Sequence, residues 1–346
     1  TGWEALTAML EADSSALSVL DKAGAVHDAF TLARDVQLHP FIPLNLVRRA
    51  FRGADSSFPL WDVVLTMLHL TNARVESAGE ATLRGFVTDV LNATMYEVVA
   101  PLSRNVVISY LASDNPHGVA ADGRDSEELR ALVLRVALDA GHHDAVAAAN
   151  IGYAAFLANE TGNALDPALR GAVFHHVVAT GGTAEYDAMR TRYYGASDPA
   201  EKRDALYALA AASSPVDLDR TLADMVDASK IPSQEFPRMM VYVSRNTPAG
   251  GRMKAYEFFK AHFTDIIMAR YGDGGFGLDT IIEGVVGGFD TDSVLGDVRD
   301  FFTDNPVIHA QGSVDRAIDS ILVNNVWRRA HAPLVIEWLR EHRYMM

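Results

Sequence analysis

The sequence contains no cysteine, which excludes disulfides, cysteine-ligated iron–sulfur clusters and a thiol nucleophile together. Basic residues are also scarce: 30 Lys and Arg stand against 45 Asp and Glu, so the formal net charge is −15. Nucleic-acid binders neutralise phosphates with clustered Lys and Arg, and no basic run occurs here, so we expect no nucleic-acid partner. The apolar runs are too short to span a bilayer, and no membrane contact is evident from the sequence.

The evidence for a cellular compartment is divided. The absence of cysteine slightly favours the cytoplasm, whereas the sequons at Asn92 and Asn159 point the other way. The chain begins with Thr1, without an initiator Met and without the basic and apolar stretches of a signal peptide. We therefore expect it to begin within a longer protein.

Helical periodicity recurs along almost the whole chain, so the sequence predicts an all-α fold. Predicted helices include Pro59–Val75, Glu80–Val99 and Ser126–Gly141. Between about residues 150 and 229 the helices are short, and a pair of them takes about 35 to 40 residues. This period is typical of an α-solenoid of HEAT- or armadillo-like antiparallel helix hairpins.

One change in composition suggests how the chain is organised. Residues 112–126 are rich in Gly, Pro, Asp and Ser and are typical of a loop. We predict an N-terminal helical portion at 1–115, a loop at 116–126 and helical repeats at 127–346, all within one accessory domain.

The sequence contains no recognisable catalytic or metal centre. None of its 12 histidines lies four residues from another, as a helical zinc motif requires. The adjacent pairs His142-His143 and His175-His176 would diverge by about 100° on a helix. A G-x-S-x-G nucleophile motif is also missing. We predict no catalytic residue, metal ligand or cofactor in this chain.

The helix predicted over residues 20–38 has an acidic stripe opposite its apolar face. The stripe recurs every seventh residue, at Asp21, Asp28 and Asp35. Two interpretations remain open: the stripe is a solvated surface, or it meets another surface.

Eight segments in a fixed order resemble the C-terminal helical domain of zinc aminopeptidases of the puromycin-sensitive, endoplasmic-reticulum and aminopeptidase N type. In chain order they read "GWEALTAML", "VLDKAGAVHDAFTLARDVQL", "FPLWDVVLTMLHL", "VLRVALDAGHHDAVAAANIGYAAFL", "GTAEYDAMRTRYYGASDPAEKRDALYALAAASSPVDLDRTLADMVD", "SKIPSQEFPRMMVYVSRNTPAGGRMKAYEFFKAHF", "GGFDTDSVLGDVRDFF" and "VDRAIDSILVNNVWRRAHAPLVIEWL". The resemblance covers nearly the whole chain.

The resemblance implies a curved bowl of helix hairpins that caps the active-site chamber of an aminopeptidase. The zinc and the loop that grips the substrate amine would lie in a preceding domain, so the chain alone would not be an enzyme. Its partners would be the catalytic domain of the same polypeptide and peptide substrates. A free-standing helical scaffold that binds a protein or peptide in its concave face is the alternative, and an independent hydrolase is a third.

The resemblance also implies roles for single residues. Asp21 and Asp28 would contact the catalytic domain. Arg245 and Asn246 match a Gly-Arg-Asn stretch of the family, with Ser244 in place of the glycine. Arg245 would pair with a peptide carboxylate or, alternatively, be buried and brace adjacent helices.

A mixed aromatic and basic segment, "EYDAMRTRYY", supplies three further candidates for peptide contact: Tyr186, Arg190 and Tyr193. Near the end of the chain, Asp292 and Val294 stand where some relatives have a basic residue. We therefore do not expect that later segment to anchor a peptide carboxyl end.

Overall fold

The computed structural model describes residues 2–50, 58–78, 124–139, 143–158, 165–273 and 277–342. Within these ranges the chain forms helices and no strand, which confirms the all-α prediction. The helix predicted at 80–99 and residues 116–123 of the predicted loop lie outside the described residues. No helix among the described residues is both long and apolar enough to cross a membrane.

The helices of the described residues are numbered here in chain order. Those of the first half are α1 (Gly2–Ala12), α2 (Val19–Arg34), α3 (Phe41–Ala50), α4 (Phe58–Ala78), α5 (Arg124–Asp139), α6 (His143–Ala158) and α7 (Pro167–Thr180). Those of the second half are α8 (Thr183–Gly195), α9 (Pro199–Leu209), α10 (Pro215–Val226), α11 (Phe236–Arg245), α12 (Gly251–Ala261), α13 (Ala269–Tyr271), α14 (Leu278–Ile281), α15 (Asp292–Asp304), α16 (Gln311–Ala330) and α17 (Ala332–Glu341). Short 3₁₀ and π segments lie at Ser14–Ala16, Phe263–Met268, Ile282–Val286 and Ile308–Ala310.

One compact unit combines the two ends of the chain, Thr1–Val173 with Val326–Met346. Helix α2 packs on α3 and α4, and α17 packs against the same two helices. The indole of Trp338 is fully buried, and its N–H donates to Asn45 Oδ1 at 3.1 Å. The C-terminal helix thus completes a core that the N-terminal helices begin.

The predicted boundaries at 1–115, 116–126 and 127–346 stay a prediction, since residues 79–123 lie outside the described part of the chain. Residues 124–126 form the first turn of α5.

Helix α2 has the amphipathic arrangement that its sequence predicts. Its buried face includes Val26, Ala29, Phe30 and Ala33, each no more than 7% exposed. The helix begins at the N-cap Ser18, whose hydroxyl accepts from the Asp21 amide at 3.2 Å. This geometry satisfies one of the amide groups that a helix N-terminus leaves unpaired.

The second compact unit, Phe174–Asn325, is built from helices that pack with their neighbours in sequence. The pairs α8–α9 and α11–α12 are in close contact. Most long-range side-chain hydrogen bonds in this unit join residues 32 to 40 positions apart, for example 35 between Tyr186 and Thr221 and 37 between Lys260 and Asp297. That separation overlaps the hairpin period of about 35 to 40 residues that the sequence predicts. The solenoid and the bowl themselves stay predictions.

Two buried histidines predict how stability depends on pH. Burial lowers the pKa of His176, and burial together with the charge of His39 lowers that of His331. An unfolded histidine has a pKa of about 6.5, so as the pH falls the unfolded chain takes up the proton first. The free energy of unfolding should therefore be highest above about pH 6.5 and decrease below it.

Chemical denaturation at about pH 7.5 and about pH 5.5 measures this dependence. His331→Gln should weaken it, whereas His309→Gln, at an exposed residue, should leave it unchanged. A free energy of unfolding that stays constant or rises when the pH is lowered from about 7.5 to about 5.5 would contradict the lowered pKa values of His176 and His331.

Candidate functional site

Helix α11 exposes only one narrow face. Seven of its ten residues are buried: Phe236, Pro237, Met239, Met240, Val241, Val243 and Ser244. The remaining three are Arg238 and Arg245, both exposed, and Tyr242, which is half-buried. They are spaced at i, i+4 and i+7 and therefore share one side of the helix. We call these three residues the α11 ridge.

Arg245 is the last residue of α11, and its side chain makes no hydrogen bond or ion pair with the described residues. The interpretation of Arg245 as a buried brace between helices is therefore wrong. An exposed guanidinium without a partner has all five donors available, and its planar fork matches a carboxylate in bidentate geometry. The ridge thus presents a cation that can recognise a carboxylate.

Tyr207 of α9 supports the other end of the ridge. Its ring packs edge-on against Tyr242 at a centroid distance of 4.9 Å, and its hydroxyl accepts from Arg238 at 3.2 Å and donates to Glu235 at 2.7 Å. Burial, with a further contribution from Glu235, raises the pKa of Tyr207 to about 12. The hydroxyl therefore keeps its proton at neutral pH, and Arg238 is held in place while Arg245 is not.

Asn246 has a structural role next to Arg245. It is 8% exposed, and its amide donates to the carbonyls of Ala210 and Ala212 at 2.8 and 2.9 Å. Its Oδ1 accepts from the Ala249 amide at 3.1 Å. These bonds fix the turn after α11 to the end of α9 and so position the backbone that carries Arg245. Contact of Asn246 with a peptide stays a prediction.

The three candidates on α8 join that helix to α10 and to the turn that follows it. Tyr186 and Tyr193 are 1% and 2% exposed; the Tyr186 hydroxyl lies 2.9 Å from Thr221 Oγ1, and the Tyr193 hydroxyl donates to the Lys230 carbonyl. Arg190 donates to Asp224 at 2.8 and 2.7 Å. Both tyrosines are therefore buried, and a peptide would reach them only if these packed segments separated. Their predicted contact with a peptide stays a prediction.

Asp224 lies at the centre of the contact between α8 and α10. The sequence alone did not indicate this role. Its carboxylate accepts from Arg190, from Lys230 at 2.9 Å and from Tyr194 at 3.1 Å. Burial alone would raise the pKa of Asp224, but the hydrogen bonds from Lys230, Arg190 and Tyr194 outweigh it and the pKa is lowered. The sequence does contain one indication that Arg190 and Asp224 pair, because they lie 34 residues apart, close to one hairpin period.

A sequence model of the ERAP1-like C-terminal domain matches residues 1–323. The chain belongs to this family. The match confirms the resemblance that the eight ordered segments indicated.

Relatives of this ERAP1-like domain include two aminopeptidases and a hormone-degrading ectoenzyme. Aminopeptidase Ey of Gallus gallus is 24% identical over 98% of this chain and 33% of its own length. Aminopeptidase N of Rattus norvegicus is 22% identical over 98% of this chain and 34% of its own length. The thyrotropin-releasing hormone-degrading ectoenzyme of Rattus norvegicus is 23% identical over 97% and 30%. The chain therefore spans about a third of the length of these relatives.

The acidic stripe of α2 faces solvent in this ERAP1-like domain. Asp21 accepts from the Ser18 hydroxyl at 2.7 Å, and the Asp28 side chain is 72% exposed and lies 3.5 Å from His27 Nδ1. Asp35, just after the helix, pairs with Arg34 at 2.8 Å. Contact of Asp21 and Asp28 with another domain stays a prediction.

No group of three or more His, Asp or Glu side chains is arranged to hold a metal ion in the part of the domain that the structure describes. His142 lies outside that part.

Proposed function

We propose that this chain is the C-terminal substrate-accommodating and regulatory domain of a zinc-dependent aminopeptidase, and that it contacts the peptide through Arg245. The family and the aminopeptidases among its relatives support the general role. Because the chain spans about a third of those relatives, the zinc and the catalytic residues would belong to the rest of the polypeptide. The partners are then that catalytic domain and the peptide substrate.

The observation that carries the proposal is the exposed, unpartnered guanidinium of Arg245 on the α11 ridge. A peptide substrate presents a carboxylate at its far end, and a long peptide extends further from the active site than a single-residue amide does. At the start of α15, the exposed residue Asp292 is acidic and would repel a peptide carboxylate. Hydrogen bonds to a charged partner contribute about 1.5 to 3 kcal/mol.

Replacing Arg245 with Ala in the full-length enzyme tests this role. We expect kcat/KM to fall roughly ten- to a hundred-fold for long peptides and to stay unchanged for single-residue amides. The melting temperature should also stay unchanged, since the side chain has no hydrogen bond or ion pair to lose. Steady-state kinetics on both substrate classes and calorimetry of the same variant make the three measurements.

Arg203→Ala is the matched control, because Arg203 is another exposed arginine, on α9, whose side chain makes no hydrogen bond or ion pair with the described residues. It should leave both substrate classes unaffected. Equal losses on long peptides and on amides in Arg245→Ala, or no loss on either, would contradict the proposal.

A further inference from the structure

The α11 ridge carries a second arginine, Arg238, about two helical turns before Arg245. The two residues are seven positions apart, which places them on the same side of the helix and about 10 Å apart along its axis. Both side chains are exposed, and Tyr242 lies half-buried between them. The ridge therefore presents two cations at a spacing that the helix fixes, with an aromatic ring between them.

The guanidinium of Arg238 is held in place by Tyr207, and most of its donors are unused. Its central carbon lies 5.7 Å from the centroid of the Tyr207 ring, and its Nη1 donates to the Tyr207 hydroxyl at 3.2 Å. Arg238 makes no other side-chain hydrogen bond with the described residues. A guanidinium has five N–H donors, so four remain for a carboxylate. Because the group is already oriented, a ligand that binds it would order little of the side chain.

The acidic side chains next to the ridge are bonded to other residues. The segment Ile282–Val286 packs against α11 and contains Glu283, which pairs with Arg316 at 2.6 Å. On the other side of the ridge, Glu235 accepts from the Tyr207 hydroxyl at 2.7 Å. Within the part of the chain that the structure describes, no carboxylate forms an ion pair with either arginine of the ridge. Both arginines are therefore available to the carboxylates of a ligand.

We propose that Arg238 determines specificity by binding an acidic side chain of the peptide, three residues before its last residue. The inference rests on the proposed function, in which Arg245 binds the terminal carboxylate. A peptide in the polyproline II conformation has three residues per turn and rises about 3.1 Å per residue. Residues three positions apart then share one side and lie about 9 Å apart, which is close to the spacing of the two arginines. The preferred substrates are peptides with Asp or Glu at that position.

Matched peptides test this preference in the full-length enzyme. One long peptide with a free C-terminal carboxylate carries Glu three residues before its last residue, and its partner carries Gln at the same position. We expect kcat/KM of the parent enzyme to be about five-fold higher for the Glu peptide, because ion pairs at exposed sites are weaker than buried ones. Moving the Glu one residue closer to the C-terminus should remove the preference, since that side chain leaves the side of the peptide that faces Arg238.

Variants of the two arginines separate their roles. Arg238→Gln should remove the preference for the Glu peptide and keep the preference for a free C-terminal carboxylate over its amide, whereas Arg245→Ala should lose the latter. Arg238→Lys keeps the charge without the planar fork, so it should retain a smaller preference for the Glu peptide. Arg299→Gln, at an exposed arginine on α15, is the control and should change neither preference.

The outcomes distinguish a failure of this inference from a failure of the proposed function. A parent enzyme that prefers the free acid to the amide but treats the Glu and Gln peptides alike would overturn the inference and leave the role of Arg245 intact. A preference for the Glu peptide that persists in Arg238→Gln would do the same. A parent enzyme that does not distinguish the free acid from the amide would overturn the proposed function, and the inference with it.

Discussion

Replacing Gly251 with Ala is expected to lower the free energy of unfolding by about 3 kcal/mol or more. A Cβ atom at this position would lie 2.0 Å from the Val243 carbonyl oxygen and 2.8 Å from that of Asn246. Both are backbone atoms at the end of α11, so the turn itself must move. That movement would also disrupt the hydrogen bond from the Gly251 amide to the Asn246 carbonyl, 2.7 Å long.

Gly24→Ala is the control because Gly24 lies within α2 and a Cβ there would meet nothing within 4 Å. It should stabilise the protein by about 0.5 to 1 kcal/mol, since Ala favours a helix interior over Gly. In urea unfolding, we therefore expect the free energy of unfolding to fall in Gly251→Ala and to rise in Gly24→Ala. A Gly251→Ala variant as stable as the parent would show that the α11–α12 turn is not packed as described.

The second large loss of stability is expected when Asp224 is replaced. Replacing it with Ala removes a buried acceptor from Arg190, Lys230 and Tyr194 at once, and we expect a loss of about 2 to 3 kcal/mol. Arg190 and Lys230 remain partly exposed, at 30% and 44%, and so regain water, which limits the loss. Because the pKa of Asp224 is lowered, its contribution is present above about pH 3.8 and decreases as the pH falls below that value.

Asp219→Ala provides the comparison on the same helix. The Asp219 side chain is 55% exposed and pairs with Lys254 at 2.6 Å, and surface pairs of this kind contribute little. Denaturation at neutral pH should separate the two variants clearly. Equal stabilities for Asp224→Ala and Asp219→Ala would mean that Asp224 does not hold α8 to α10.

The elements that the sequence predicted well are those encoded locally. The buried face of α2 follows from apolar residues at helical spacing, and these are the residues that the structure buries. The pairing of Trp338 with Asn45 spans 293 residues, and no local pattern specifies which distant helix an apolar face will meet.

In the candidate site too, the sequence does not specify which distant residues a side chain will meet. Tyr186 and Tyr193 are recognisable as aromatic residues near arginines, but the sequence does not distinguish a solvent-facing ring from one that meets the helix a hairpin period away. For Arg245 the information was present. The buried residues of α11 leave Arg238, Tyr242 and Arg245 on the opposite side of the helix. This spacing predicts that the Arg245 side chain is exposed and does not brace two helices.

The most direct test of the account pairs Arg245 with the carboxylate of the peptide itself. The kcat/KM of the full-length enzyme is measured for a long peptide with a free C-terminal carboxylate and for the same peptide as its C-terminal amide, in the parent and in Arg245→Ala. We predict that the parent prefers the free acid by about ten-fold or more and that the variant treats the two peptides alike. A preference for the free acid that persists in Arg245→Ala would contradict the account.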